Sequence, residues 1–354
     1  MSTNASDGLN RRLVLGALGA LPTLPALFGA TIAEAQTAAA DPLPSWNNTP
    51  AKFGILEFIR ATTGDPSSAT FVPPGERIAE FDQDGTLWVE HPLYTQFVYC
   101  LDRVGVLAKE QPALKDREPF KTVLSGDAAA LAKLSDRDLF EIVLTTQSGM
   151  TVQAFAADVK TWLATARDPR WKRPYTDLIY QPMLEVLHYF RANGYQTFIA
   201  TGGSGSFVRV YSEQVYGIPP QQVSGTEQPA KYGYGKDQTP MLTYEPKLVL
   251  DNLGAGKIEN FWLTYGRRPN ASFGNSSSDD QQILEYAKAG AGVRLSMLVL
   301  HDDAKREYAY GPAQGLPDTK VGTFSQALYD EAMKSGWFVI SMKNDWKRIF
   351  AFDG

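Results

Sequence analysis

The sequence holds a single cysteine, Cys100, in 354 residues. One thiol excludes any intrachain disulfide and any cysteine-built zinc site. Histidine is almost as scarce: His91, His188 and His301 stand singly, which supports neither a histidine metal centre nor a Ser-His-Asp triad, so each reads as a packing or surface residue. No lysine and arginine cluster interleaved with aromatics occurs and the net charge is -5. A nucleic-acid partner is therefore not expected, and a small substrate fits better. Internal repeats and long low-complexity segments are also missing. What remains is ordinary globular composition, 44% hydrophobic and 21% charged, with chain enough for one large α/β domain or two smaller ones.

The N-terminus supplies an address. Arg11 and Arg12 stand directly before an uncharged Ala/Leu/Gly-rich stretch from Leu13 to Ala33, and Ala33-Glu34-Ala35 offers the small residues that a signal peptidase accepts. Paired arginines there read as a twin-arginine signal over residues 1–35, cleaved after Ala35. The expectations are export to the periplasm or medium, the twin-arginine export machinery as a partner, and no membrane attachment once the signal is removed. A retained segment would instead anchor the chain. Residues 36–49 are small and proline-containing and read as a linker.

From residue 50 to 354 the pattern is that of one domain carrying an insertion. Short apolar runs at Arg77–Asp82, Tyr195–Thr201, Ala271–Asn275 and Leu295–Leu300 alternate with helix-like stretches, which predicts a parallel sheet sandwiched by helices. Ligands of such sheets bind beyond the carboxyl ends of the strands. Each polar cluster falls at a strand end: Asp82 and Asp84, then Thr201 with Gly202 and Gly203, then Asn275 with Asp279 and Asp280. About 115 residues separate the first two clusters, far more than a crossover needs. Helix-like stretches at 93–107, 127–145 and 152–166 make the region from about 90 to 182 an inserted, mostly helical cap.

The clusters define a chemistry. Two carboxylates one residue apart repel and are costly to desolvate together, so an apolar strand that ends in "FDQDGT" calls for a compensating cation or proton. A strand-end aspartate can attack phosphorus, and a second carboxylate can protonate the leaving alkoxide and then activate water. Asp82 and Asp84 suit these roles; a turn with two solvated acids is the plainer reading. In "TGGSGS" the glycines let backbone N–H groups approach a phosphate, with Thr201 adding a hydroxyl. In "GNSSSDD" Asn275 and Asp279 are hard oxygen donors suited to Mg²⁺, although Ser and Asp there also suit a helix cap. Lys247 and Lys257 are both candidates to balance phosphate charge.

In this order, "FDQDGT", "FIATGGS", a lysine and "FGNSSSD" resemble the four motifs of the haloacid dehalogenase superfamily, in its phosphoserine-phosphatase-like branch. The stretches "DGTLWVEHPLYTQ", "FRANGYQTFIATGG", "GRRPNASFGNS" and "DDAKREYAY" are similar to a group of bacterial phosphatase-like hydrolases. The resemblance spans about 77–300 and implies a Rossmann-like core with an inserted cap. It also implies hydrolysis of small phosphate monoesters with Mg²⁺ through an aspartyl-phosphate. By the same resemblance Asp82 is nucleophile and metal ligand, and Asp84 is general acid/base and gives its carbonyl to the metal. Thr201 and the Gly202 amide hold the phosphoryl group, and Lys257, better spaced than Lys247, neutralises charge. Asn275 and Asp279 complete the metal site. Asn275 stands where many relatives carry aspartate, which removes a charge; Asp280 is a candidate to restore it. The second aspartate, Asp84, favours phosphate esters over haloacids, since a halide leaves without a proton.

Two other readings use the same residues: a phosphotransferase or phosphomutase, and a phospho-ligand binding protein without chemistry. Cap residues Arg103, Arg117, Lys121, Arg170 and Arg173 are candidate anion contacts, and Trp88, Tyr94 and Trp162 read as core aromatics.

Overall fold

The computed structural model describes residues 40–353. The twin-arginine segment and the start of the expected linker lie outside them. Eight strands are β1 (Ile78–Phe81), β2 (Gln196–Ser204), β3 (Val223–Thr226), β4 (Ala230–Tyr234), β5 (Pro240–Tyr244), β6 (Ala271–Gly274), β7 (Leu295–Leu300) and β8 (Phe338–Ser341). The helices start with α1 (Pro50–Thr63), followed by α2 (Thr95–Glu110), α3 (Phe120–Ser125), α4 (Ala128–Leu131), α5 (Asp136–Gln147) and α6 (Val152–Thr165) between β1 and α7 (Gln181–Ala192). After β2 come α8 (Gly205–Val208), α9 (Ser212–Tyr216), α10 (Ala255–Tyr265), α11 (Gln281–Lys288), α12 (Gln326–Lys334) and α13 (Met342–Asp345).

Six strands form one parallel sheet in the order β3-β2-β1-β6-β7-β8. Every residue of β1, β6 and β7 is buried, as expected for parallel strands covered on both faces, and these short strands therefore read as unbroken apolar runs. From β1 the chain winds out to β2 and β3, then returns to β6 on the other side of β1. That reversal opens a crevice beyond the carboxyl ends of β1 and β6. Phe81 and Phe273 stack across the same strand pair with ring centroids 4.4 Å apart, which fixes the register beneath the crevice.

The helices α2 to α6 fill the long insertion, and a second element joins them. The antiparallel hairpin β4-β5 bridges to it through Thr151 and Thr243, and the Tyr244 hydroxyl donates to Ser206 Oγ at 2.9 Å. The structure departs from the expected linker over 41–49. Leu43 and Trp46 are fully buried, the Ser45 backbone N–H and hydroxyl donate to Glu185 at 2.9 and 2.6 Å, and Trp46 meets Trp346 edge-on. Small residues and prolines suggest a linker by composition, but two large apolar side chains are enough to tie the segment down. None of the helices among the described residues is long and apolar enough to cross a membrane.

Candidate active site

Asp82 follows β1 directly, and its backbone N–H still donates to Phe273 O at 2.9 Å, carrying the ladder one residue past the strand. The chain then leaves the sheet. Asp84 is therefore not placed by strand alternation, as an extended continuation would have it; Trp88 Nε1–H donates to its Oδ1 at 2.7 Å and fixes the carboxylate. Gly85 turns the chain at φ +76, a backbone region that side chains disfavour.

Strand β2 runs on past the apolar run that ends at Thr201, through Gly202 and Gly203 to Ser204. Its register against β3 shifts between Thr201 and Ser204. The glycines let this stretch pass close to the other clusters: a Cβ at Gly202 would lie 2.9 Å from Asp279 Oδ2, and one at Gly203 would lie 3.4 Å from Thr201 Oγ1 and 3.9 Å from Asp84 Oδ2. The three strand ends thus converge.

Lys257, from α10, sits at the centre and is fully buried. Its ammonium donates to Asp82 Oδ1 at 2.9 Å, Asp279 Oδ2 at 2.8 Å and Asp280 Oδ1 at 2.7 Å. Lys247, the other candidate, is exposed and pairs with Glu245 at 3.0 Å. Burial disfavours the Lys257 charge, yet the three carboxylates outweigh it and hold the ammonium protonated. Burial, reinforced by Asp280, pushes Asp82 well above the usual carboxylate range despite Lys257. Burial also lifts Asp84 to about 6, against the Trp88 hydrogen bond and Lys257.

Asp280 already has both oxygens engaged by donors other than the Asn275 side-chain amide. Its Oδ2 accepts the backbone N–H groups of Asn275 and Ser276, both at 2.9 Å, while Oδ1 takes Lys257. It shapes the loop after β6 instead. The carboxylate that touches the Asn275 amide is Glu90, which accepts from Nδ2 at 2.6 Å.

Sequence reasoning missed this residue and its supports. The Tyr310 hydroxyl donates to the same Glu90 oxygen at 2.8 Å, and the Tyr310 ring stacks on His91 and His301 with centroids 4.1 and 4.4 Å apart. His301, just beyond β7, holds Gly85 O through Nε2 at 2.8 Å and Glu307 through Nδ1 at 3.1 Å. Burial opposes its charge, but Glu307, Glu90 and the Gly85 carbonyl raise its pKa overall. His301 is thus a brace for the loop that carries Asp84 and Gly85, while His188 is exposed. The available signal was position: "HDDAKREYAY" begins at a strand end, like the other clusters. Most of the cap charges are spoken for, with Arg103 on Asp158, Arg117 on Glu141 and Arg173 on Asp177, and Arg170 lying over Trp171 and Tyr308.

The haloacid dehalogenase-like hydrolase family matches over residues 79–281. The chain belongs to that family. None of the curated proteins matches the sequence. Solved structures similar to it include a protein of unknown function from Bordetella pertussis, at 17% identity and TM-score 0.46, covering 75% of this chain and 98% of that one. Another, from Anaerococcus prevotii and also functionally unknown, has 13% identity and TM-score 0.47, covering 72% and 86%. A phospho-aspartyl intermediate analogue of phosphoserine phosphatase has 12% identity and TM-score 0.35, covering 75% and 93%.

Members of the family typically use Mg²⁺, and the donors here suit it. Asp82, Asp279 and Asp280 bring carboxylate oxygens within 4.8 Å of one another, and with one lysine among two buried and one half-buried carboxylates the cluster carries excess negative charge. Asp279 Oδ1 is buried without a hydrogen-bond partner. An all-oxygen set with an orphaned carboxylate oxygen fits a hard divalent cation. Asp82, the Asp84 carbonyl, Asn275 and Asp279 would hold it.

Proposed function

We propose that this chain is an exported, Mg²⁺-dependent phosphatase of the phosphoserine-phosphatase-like branch, acting on small phosphate monoesters through an aspartyl-phosphate. The observation that carries the reading is the pairing of unlike carboxylates at one strand end. Asp82 is ion-paired to buried Lys257, and Asp84 is fixed by Trp88 with its pKa raised to about 6.

An Asp82 oxygen attacks phosphorus, and the bond to the ester oxygen breaks as Asp84 delivers its proton to the leaving alkoxide. Asp84, now ionised, then takes a proton from water as that water attacks the same phosphorus. The Asp82–phosphorus bond breaks and inorganic phosphate departs. Thr201, the Gly202 amide and Lys257 supply the donors facing the phosphoryl oxygens, where preorganised charge counts most. Bound Mg²⁺ would offset phosphate charge and polarise the reacting oxygens. A pKa near neutrality suits a group that must give and then take a proton.

Export rests on Arg11-Arg12 and the apolar stretch behind them. Fractionating cells that express the chain with and without Arg11→Lys and Arg12→Lys tests it; retention of the double variant inside is the expected result. The chemistry is tested by hydrolysis of an aryl phosphate with Mg²⁺ or a chelator, beside Asp82→Asn. Metal-dependent turnover lost in the variant supports the reading; turnover that survives in Asp82→Asn overturns it.

A further inference from the structure

We propose that Glu90 is the positioning residue for Asn275: its carboxylate selects the amide orientation that leaves the Asn275 oxygen free for the cation. The assignment rests on the Mg²⁺ reading above and adds to it a residue outside the four motifs.

An asparagine amide presents two branches of nearly equal size, one donor and one acceptor, and its neighbours decide which faces where. Asn275 Nδ2 donates to Glu90 Oε1 at 2.6 Å, and this is its one side-chain hydrogen bond among the described residues. An acceptor at that place holds the nitrogen and turns the oxygen to the other side. The main chain of Asn275 is fixed independently, its N–H donating to Asp280 Oδ2 at 2.9 Å. Backbone and amide are therefore both set before any ligand arrives.

Glu90 is itself boxed in. It is 2% exposed, and the Tyr310 hydroxyl donates to the same Oε1 at 2.8 Å. Two glycines leave the space it occupies. A Cβ at Gly322 would fall 1.7 Å from Glu90 Oε1, and a Cβ at Gly85 would fall 2.4 Å from that oxygen and 2.1 Å from Asn275 Nδ2. A buried acid with so little freedom acts as a template for its neighbour. Partners of this kind, one bond removed from a metal, commonly change affinity by about 10–100-fold when lost.

The pair also explains why asparagine is tolerated at this position. Aspartate there would bring two acids to the distance of the present hydrogen bond, so that they share a proton, and a proton shared with residue 275 competes with the cation for its oxygens. Exchanging the two chemistries, with the amide on residue 90 and the acid on residue 275, restores a donor and an acceptor.

The test is calorimetric titration of Mg²⁺ into the full chain, with thermal unfolding in chelator as a control for folding. Glu90→Ala is expected to weaken Mg²⁺ binding about tenfold or more. Glu90→Gln keeps an acceptor oxygen and is expected to stay near wild type. Asn275→Asp alone is expected to bind more weakly than wild type, and Asn275→Asp with Glu90→Gln to recover. Wild-type affinity in Glu90→Ala, or no recovery in the double variant, would overturn the assignment while leaving the Mg²⁺ reading intact. A wild-type chain that binds no Mg²⁺ overturns both.

Discussion

Asp84 must be protonated for one half of the proposed cycle and ionised for the other. Burial raises its pKa to about 6, so above that pH the acid form declines and transfer to Asp82 slows, while below it water activation slows. Stopped-flow measurement of the phosphorylation burst is expected to show a rate that falls as pH rises from 6 to 8. Asp84→Asn is expected to lower turnover of alkyl phosphates by about 10²–10⁴-fold, and of activated aryl phosphates by much less, since a good leaving group needs no proton. Equal losses on both would contradict the role. Lys257 makes a different demand. It is fully buried among Asp82, Asp279 and Asp280, so Lys257→Met strands three carboxylates. The expected cost is about 3–5 kcal/mol in urea unfolding at neutral pH, recovering partly at pH 5 as the acids protonate.

At the scale of elements, the parts legible in the sequence are those whose burial writes a simple pattern. Strands β1 and β7 are covered on both faces and appear as apolar runs; the stretch 152–166 matches α6 to within a residue at its end. Strand β3 is four residues long with a glycine inside it, and the hairpin β4-β5 is largely exposed or half-buried, so nothing local marks them. The apolar run stops at Thr201, but β2 continues through Gly202 and Gly203, which allow close approach within it. The site divides the same way. Asp82, Asp84, Thr201, Lys257, Asn275 and Asp279 follow from strand ends and motif order, but Glu90, Tyr310 and His301 act through contacts between residues as much as 220 positions apart. No local pattern encodes such pairings. The segment 41–49 gives this scale its prediction. Trp46 is fully buried against Trp346 and its indole N–H donates to Pro182 O at 3.0 Å, so Trp46→Ala is expected to cost about 3–5 kcal/mol in urea unfolding. An unchanged midpoint would restore the linker reading.

For the molecule as a whole, the buried acids and His301 set the sign of the dependence of stability on pH. Burial lifts Glu80 and Glu90 to about 8 and Asp84 to about 6. Each therefore holds a proton in the fold that the unfolded chain releases near pH 4. His301 adds the same sign, because its raised pKa keeps a proton that the unfolded chain loses near 6.5. Between pH 6 and 8 the unfolded state binds fewer protons than the native one, so stability falls as pH rises, by about 1.4 kcal/mol per pH unit for each proton held in excess. The contribution from His301 is complete below pH 6.5 and disappears as pH passes its folded value. Magnesium opposes that slope if it binds where proposed, since it competes with protons at Asp82 and Asp279, whose pKa values burial also raises, and holds these carboxylates more tightly as pH rises. Thermal unfolding from pH 6 to 8 in chelator is expected to show a falling midpoint, and saturating Mg²⁺ to flatten or invert that fall. Parallel curves with and without Mg²⁺ would place the cation away from Asp82 and Asp279, and with it the origin of the crevice's chemistry.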